Sequence, residues 1–368
     1  MTRARELAEL GSVYDNGALS NRNIIINGAM QVAQRGTSFT TVTNNAYTLD
    51  RFNYRKSNDG EVTITQDSSG PDGFSNSLKV DVTTADTSIA ASQLSILEYN
   101  VEAQDLQRLA FGTSGAKNFT LSFYVKSNKT GTYAVNISQN DNSGKQATLN
   151  YTINSADTWE RKTLTFNGDT SGVINDDNGI GFTIYWWLAV GSTYTGGSTS
   201  ASFQTFANAD HAAGHAVNIL DNTSNEWLIT GVQLEVGDTA TDFEHRSFGQ
   251  ELQLCQRYFA KSYLYGVAPG TSTYTGMAYT TLRENNQGSG YIEKYDFQFP
   301  VRMRSNATIT IYDHTGNSGK VSYYVGSSNV ANNTITVNSN SDKQWGGYSD
   351  RTTTIGGWNA HWTADAEL

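Results

Sequence analysis

Residues 181–190 read GFTIYWWLAV and are rich in the β-branched and aromatic residues that favour strands. The chain on either side repeats this pattern in short alternating segments bounded by Gly, Asn and Asp. Alternation with a period of two places one face of each strand inward and the other toward solvent. The further segments are 61–66, 77–83, 119–126, 133–139, 158–166 and 227–236. So many strands with polar connections predict a two-sheet sandwich or jelly roll and not a βα repeat.

The composition also indicates an all-β protein. A chain of 368 residues is long for a single core, so two or three domains are expected. Charged residues make up 16% of the chain, against about 25% in an average protein. Asn, Thr, Ser and Gly take their place, together with 20 Tyr, 15 Phe and 7 Trp. These aromatic residues are sufficient for a folded core, which excludes a disordered chain.

The charge and the termini exclude several classes of protein. A net charge of -10 without a run of Lys or Arg argues against a nucleic-acid partner. No apolar stretch approaches the roughly 20 residues that span a bilayer, so no membrane insertion is expected. The opening MTRARELAELG lacks the apolar region of a signal peptide. An exterior-type composition without an export signal fits a protein assembled inside a cell and released by lysis, as virion proteins are.

The order of segments predicts four regions. Residues 1–22 form an N-terminal anchoring arm, with a short helix over 2–10 or, alternatively, a frayed terminus. Residues 23–247 form the jelly-roll domain, 248–262 a linking helix, and 263–368 a smaller C-terminal β domain. In the helix, Phe248, Leu252, Cys255 and Phe259 are spaced 4, 3 and 4 apart, which suits packing on the sandwich or a trimer axis. The single cysteine excludes an intrachain disulfide framework, and Cys255 is expected to be a buried apolar residue.

Three stretches resemble bacteriophage tail-fibre and receptor-binding proteins. Residues 23–36 (NIIINGAMQVAQRG), followed by Asp50-Arg51-Phe52, are similar to the opening of a carbohydrate-binding-module-like jelly roll. Residues 230–246 (TGVQLEVGDTATDFEHR) resemble its last strand, and 251–259 (ELQLCQRYF) the helix that follows it. Residues 299–304 and 364–368 also resemble such proteins. The resemblance implies virion attachment, often as a homotrimer, and a glycan-binding role.

Catalytic and metal-binding motifs are weak in this sequence. It contains no nucleophile elbow, no phosphate-binding glycine loop and no HExxH, so no enzyme activity is expected. His211 and His215 are four apart beside Asp210, either a metal site or a polar loop. Arg35 and Arg51 are placed to pair with Asp50 or Glu235 as structural clamps. No cofactor is expected other than, at most, Ca²⁺, for which the weak candidate ligands are Asp169, Asp176 and Asp177. The alternative is that these three are solvated turn residues.

Aromatic residues give better candidates for binding. Sugar rings stack on exposed aromatic side chains, and within the consecutive Tyr185, Trp186 and Trp187 at least one side chain faces away from its neighbours. Tyr194 follows in a Gly/Ser/Thr loop. Near the C-terminus the candidates are Trp345, Tyr348, Trp358 and Trp362. The alternative is that these residues pack in the core or between subunits. The C-terminal group is preferred for receptor contact, since fibre tips lie at that end in the family that the chain resembles.

These observations predict a non-enzymatic tail-fibre subunit of a bacteriophage virion. Its expected partners are copies of itself in a homotrimer, other virion proteins through residues 1–22, and a glycan or protein of the host surface. The alternatives within virion proteins are a capsid-decorating head fibre and a baseplate protein. Outside that class they are a capsule depolymerase tailspike and a free bacterial glycan-binding protein.

Overall fold

The computed structural model describes residues 21–141, 144–281, 292–325, 328–350 and 357–368. It is an all-β chain: a jelly-roll β-sandwich is followed by a short helix and a smaller β domain. The chain divides into two compact units. The described part of unit 1 comprises residues 21–31, Thr37–Ser247 and Leu368, and unit 2 comprises Val32–Gly36 with the described part of Phe248–Glu367. Most of the predicted anchoring arm, residues 1–20, lies outside the described residues.

Unit 1 is a sandwich of two antiparallel sheets. Sheet 1 contains, in spatial order, β1 (Ser38–Phe39), β4 (Glu61–Asp67), β5 (Ser77–Thr84), β13 (Glu226–Val236), β7 (Phe119–Ser127) and β10 (Glu160–Phe166). Sheet 2 contains β12 (Ser200–Thr205), β9 (Lys145–Ile153), β8 (Gly131–Gln139), β11 (Ile180–Val190), β6 (Leu94–Glu102), β3 (Phe52–Lys56) and β2 (Ala46–Tyr47). Short 3-10 helices cover Ala103–Leu109, Asn208–Asp210 and Ile219–Asp221.

The core of unit 1 lies between the two sheets and is largely aromatic. Trp186 of β11 is fully buried and meets Phe123 of β7 edge to face, with ring centroids 6.0 Å apart. Trp227 of β13 donates its indole N–H to the hydroxyl of Tyr151, on β9, over 3.3 Å. Aromatic side chains of this size contribute the largest buried areas of a core, and they fix the spacing of the sheets. Trp186 lies on the inward face of β11, but residues 181–189 are buried on both faces, so the predicted solvent-facing side of this strand is absent.

The opening motif is hydrogen-bonded to β13 through residues 23–28. Asn23 donates its amide to the carbonyl oxygen of Val232 over 3.0 Å and accepts from the backbone N–H of Leu234 over 3.1 Å. The N–H of Val232 in turn donates to the carbonyl oxygen of Gly28 over 2.9 Å. A Cβ on Gly28 would overlap the carbonyl oxygen of Val232. Only glycine therefore allows the motif to approach the strand this closely.

The closing motif holds the same segment from its other side. Glu244 accepts the backbone N–H of Asn23 over 2.8 Å, and Arg246 donates to the carbonyl oxygen of Ile25 over 3.0 Å. Arg51 is buried at a backbone φ of 74° and donates to the carbonyl oxygen of Asn100 over 2.6 Å. The two stretches that bracket unit 1 in the sequence thus meet in space and close it.

Arg35, in unit 2, has ion-pair partners that the sequence analysis did not name. Its guanidinium lies 2.9 Å from Asp365 and 3.4 Å from Glu367, and 3.8 Å above the ring of Phe259. The clamp is structural, as expected, but Asp365 and Glu367 take the place of Asp50 and Glu235 in it. A guanidinium that stacks on a ring and pairs with two carboxylates holds chain segments far apart in sequence.

The main segment of unit 2 begins with helix α1 (Phe248–Gln256), which is shorter than predicted. The prediction of a helix over 248–262 is wrong in its second half, because Phe259–Lys261 form a strand, β14. This strand pairs with residues 363–365, and its Phe259 and Ala260 are buried. Ladder hydrogen bonds and apolar burial thus outweigh the helical spacing. Cys255 is buried, in agreement with the prediction.

The strands of unit 2 form two sheets. Sheet 3 is built on β22 (Gly357–Asp365) and contains β14, β15 (Ala278–Thr281), β17 (Thr308–Tyr312), β18 (Lys320–Val325) and β19 (Ser328–Thr334). Sheet 4 contains β16 (Ile292–Gln298), β21 (Gln344–Asp350) and β20 (Thr336–Asn340). Both sheets are antiparallel, so the predicted second β domain is present as a separate core.

Candidate functional site

The face of sheet 2 that points away from sheet 1 carries two rows of polar side chains and is here called the polar face. In strand register the first row runs across β3, β6, β11, β8 and β9 as Asn53, Glu98, Tyr185, Asn136 and Thr148. A second row beside it is Asn100, Thr183, Ser138 and Gln146. Directly opposite residues in antiparallel strands lie on one face, so these side chains are neighbours. Every one of them is at least nine-tenths buried except Glu98.

Hydrogen bonds connect the second row. Thr183 donates to Asn100 Oδ1 and accepts from Asn140 Nδ2, each over 2.8 Å. Asn100 Nδ2 donates to Glu98 over 3.3 Å and to the carbonyl oxygen of Leu368 over 3.2 Å. These side chains are therefore fixed before any ligand arrives, which lowers the entropic cost of binding.

One buried acceptor on the polar face has no partner. Asn53 is 5% exposed, and its Oδ1 accepts no hydrogen bond from any residue that the structure describes. An unsatisfied buried acceptor costs about 1–3 kcal/mol. A ligand hydroxyl is the kind of donor that would satisfy this oxygen.

The β8–β9 half of the polar face is covered by residues 206–217. Gln146 donates to the carbonyl oxygen of Ala207, and Thr148 to that of Asp210, each over 2.8 Å. His211 sits over β11, with its ring edge-on to Tyr185 and to Trp187 at 5.0 Å. The β3–β6–β11 half, with Asn53, Arg55, Glu98, Asn100, Thr183 and Tyr185, is here called the open part because the Arg55 side chain is 43% exposed. Its other side chains are recessed.

Two charged residues flank Tyr185 on the open part. Arg55 is 43% exposed at its side chain and lies 3.8 Å from the 13% exposed Glu98. Burial raises the pKa of the Glu98 carboxyl, although Arg55 and Asn100 act against it. Burial, followed by the charge of Glu98, raises the pKa of Tyr185 to about 12, so its hydroxyl keeps its proton at neutral pH. The open part thus offers a guanidinium donor, a carboxylate, amides, hydroxyls and one aromatic ring.

Protonation of the covering histidines should destabilise unit 1 at acidic pH. Burial lowers the pKa of both His211 and His215 from 6.5 to about 4, and Arg55 contributes at His211. Between these values the unfolded chain binds more protons, so the free energy of unfolding falls as the pH falls from 6.5 toward 4. A His211→Phe variant should lose about 2 kcal/mol less than the wild type between pH 7 and pH 5. Urea unfolding at both pH values measures this, and equal losses would contradict it.

The predicted aromatic triplet in β11 is divided between the two faces. Trp186 points into the core and Trp187, although on the outward face, is fully buried beneath His211 and Tyr194. The expectation that these tryptophans are exposed is therefore wrong, because residues 194–211 fold back over the strand. Tyr185 reaches the polar face at 8% exposure, and Tyr194 is half-buried beside Trp187.

The C-terminal tryptophans are also not exposed. Trp345, Trp358 and Trp362 lie in the core of unit 2, where Trp345 meets Trp362 at a ring distance of 6.4 Å. A small sheet-on-sheet core needs large side chains, and these three supply them. Of the two alternatives for these tryptophans, surface exposure is wrong and packing in the core is observed. The side chain of Tyr348 lies outside the described residues.

The three aspartates proposed as calcium ligands do not form a common site. Asp169 lies 2.6 Å from Lys145; burial opposes ionisation, but this lysine and Ser171 outweigh it and lower the carboxyl pKa. Asp177 accepts the backbone N–H of Gly179, and Asp176 is exposed. His215 likewise accepts from the N–H of Ala134 over 3.1 Å. Within the described ranges, no three His, Cys, Asp or Glu residues are grouped as a metal site would require.

The residues of the open part other than Tyr185 were not predicted from the sequence. Thr183 lies on β11 and the others lie on β3 and β6, where the alternation is weak because side chains on both faces are buried. The sequence does contain one signal, because Glu98 and Asn100 on β6, and Asn53 and Arg55 on β3, are polar residues spaced two apart. In the part of the chain that the structure describes, no helix is long and apolar enough to cross a membrane.

No protein-family model and no curated protein matches this sequence. Among solved structures, the enzymatically active domain of tailspike protein 4 of bacteriophage CBA120 is similar at a TM-score of 0.31 and 12% identity, over 59% of this chain. This chain spans 22% of that tailspike's length. A family 11 carbohydrate-binding module of Clostridium thermocellum gives 0.29 and 12%, over 55% of this chain and 97% of the module. The CBM22-1 xylan-binding domain of Paenibacillus barcinonensis Xyn10C gives 0.28 and 10%, over 61% and 100%. These TM-scores are too low to support a fold assignment, so the jelly roll is assigned from the strand order of unit 1 alone.

Proposed function

We propose that the chain is a non-enzymatic adhesion subunit of a bacteriophage tail fibre and that it binds a surface glycan through the polar face of sheet 2. The observation that carries the glycan proposal is the row of recessed amide, hydroxyl and carboxyl groups around Tyr185 on that face. Sugar hydroxyls both donate and accept hydrogen bonds, and this row offers both kinds of partner.

The groups of the open part have complementary roles toward a sugar. Arg55 donates and Glu98 accepts, so the pair can hold two neighbouring hydroxyls of one ring. Tyr185 offers both an edge and a hydroxyl, and Asn53 offers its unpaired oxygen. A single site of this kind binds weakly. Avidity across several copies on one particle would raise the overall strength of attachment.

The virion assignment is supported by the order of the bracketing motifs. Residues 23–36, 50–52 and 230–246 resemble tail-fibre proteins. The first and last of these stretches meet at β13, and Asn27 of the first donates to the carbonyl oxygen of Asp50. The homotrimer, the attachment to other virion proteins through residues 1–22 and the location on the virion are parts of the same proposal. Light scattering coupled to size exclusion tests the trimer. A stable monomer would instead favour a capsid-decorating protein held by its N-terminal arm.

A direct test uses polysaccharide isolated from the surface of the host. The purified chain should bind the immobilised polysaccharide, and prolonged incubation should release no new reducing ends. Release of reducing ends would show a depolymerase and contradict the non-enzymatic assignment. Absence of binding to every host polysaccharide would contradict the glycan assignment.

A further inference from the structure

Two loops of unit 2 lie side by side and form a corner, here called the Tyr274 corner. They are residues 268–276 and 313–319. The N–H of Thr273 donates to the carbonyl oxygen of His314 over 3.0 Å, and the hydroxyl of Ser272 donates to the same oxygen over 3.1 Å. A Cβ on Gly316 would overlap the backbone of Gly270. The two loops are therefore in close backbone contact along the corner.

The second loop is fixed from inside. Asp313 is fully buried, and its carboxylate accepts from the N–H and the hydroxyl of Thr315 over 2.9 and 2.7 Å. It also accepts from the N–H and the amide of Asn317 over 3.0 and 2.9 Å. Four hydrogen bonds to one buried carboxylate order the loop without any ligand.

Tyr274 is stacked on this ordered loop. Its ring lies parallel to that of His314, with centroids 4.7 Å apart and an interplanar angle of 14°. His314 is held in turn by Ser322, whose hydroxyl lies 2.6 Å from Nδ1. Tyr274 is nevertheless 51% exposed, so the ring face opposite His314 is open to solvent. This arrangement is a flat aromatic surface whose orientation is set in advance.

We propose that the Tyr274 corner is a second binding site, and that it takes a neutral pyranose. The apolar C–H face of the sugar would stack on the open face of Tyr274, since aromatic rings offer area at a low entropic cost. Ser272, Thr315 and Asn317 lie on the same two loops and are exposed. The hydroxyls of Ser272 and Thr315 already donate to His314 and Asp313, so they and the amide oxygen of Asn317 can accept hydrogen bonds from sugar hydroxyls. None of these three side chains is charged, which favours a neutral sugar over a uronic acid.

Tyr279 provides a matched control in the same unit. It is 54% exposed, on β15, and no ring stacks on it among the residues that the structure describes. It therefore has the exposure of Tyr274 without the fixed orientation. A sugar site that depends on orientation should use Tyr274 and not Tyr279.

The test is saturation-transfer NMR on the full chain with the methyl glycosides of glucose, galactose, mannose and N-acetylglucosamine. At least one should show transfer to its ring protons. Tyr274→Ala should weaken that binding at least about tenfold. Tyr274→Phe and Tyr279→Ala should retain it. No transfer to any of the four glycosides, retention of binding in Tyr274→Ala, or equal loss in Tyr279→Ala would each overturn the inference.

An Arg55→Ala variant separates this site from the polar face. If the Tyr274 corner binds the glycoside, Arg55→Ala leaves the signal in place. If Arg55→Ala removes the signal and Tyr274→Ala does not, the polar face is the site, so the inference fails while the proposed function stands.

Discussion

A Gly28→Val variant is expected to lose about 3 kcal/mol or more of its free energy of unfolding. The new side chain would occupy the space of the Val232 carbonyl oxygen, which also accepts the amide of Asn23. Relieving the overlap requires the opening motif to leave β13, and the hydrogen bonds of Asn23 would be lost with it. Urea unfolding monitored by tryptophan fluorescence measures the change.

Gly115→Ala is the matched control for this variant. A Cβ at Gly115 meets only the hydroxyl of Thr113, at 3.7 Å, and its φ is not positive. The control should stay within about 0.5 kcal/mol of the wild type. If Gly28→Val were as stable as Gly115→Ala, the close approach of the motif to β13 would be wrong.

A Trp186→Ala variant should be destabilised by about 3–5 kcal/mol. Trp186 is fully buried between the sheets against Phe123, and truncation leaves a cavity that two paired sheets cannot close. Trp159→Ala serves as the control, because Trp159 directly precedes β10, is half-buried and lies with its ring 5.6 Å from the ammonium of Lys126. Its loss should be below about 1 kcal/mol. Equal losses in chemical denaturation would show that Trp186 is not a core residue.

The strands of unit 1 with regular alternation could be predicted from the sequence. Residues 61–66, 77–83 and 119–126 fall within one residue of β4, β5 and β7. In β4 and β5 the alternation of residue type matches an alternation of burial, because one face of these strands is more exposed. In β7 polar and apolar residues alternate although Thr120 and Ser122 are buried. The central strand β6 reads LSILEYNVE and is buried on both faces, so its pattern carries little of that signal.

The helix after unit 1 shows the limit of local spacing. Phe248, Leu252 and Cys255 predicted a helix correctly as far as Gln256. Phe259 fits the same spacing but belongs to β14, because a partner strand about a hundred residues later in the chain pairs with it. Such a long-range pairing is not encoded in local periodicity.

The candidate site could be predicted only in part. Aromatic residues in β11 pointed to the right strand, and Tyr185 does lie on the polar face. The exposure of the tryptophans in β11 was predicted wrongly. Residues 206–217 cover this part of the sheet, and their position depends on long-range hydrogen bonds such as that from Thr148 to Asp210. The residues that complete the face come from β3 and β6, and only the sheet register brings them together.

The measurement that tests the central proposal most directly is the affinity of Arg55→Ala for the host polysaccharide fragment that the wild type binds. Isothermal titration should show a loss of about tenfold or more, because a hydrogen bond from a charged donor is worth about 1.5–3 kcal/mol. Arg161→Ala is the control, since Arg161 is exposed on β10 in sheet 1. Retention of affinity in Arg161→Ala together with its loss in Arg55→Ala is the predicted result. Unchanged affinity in Arg55→Ala would show that the polar face is not where the glycan binds.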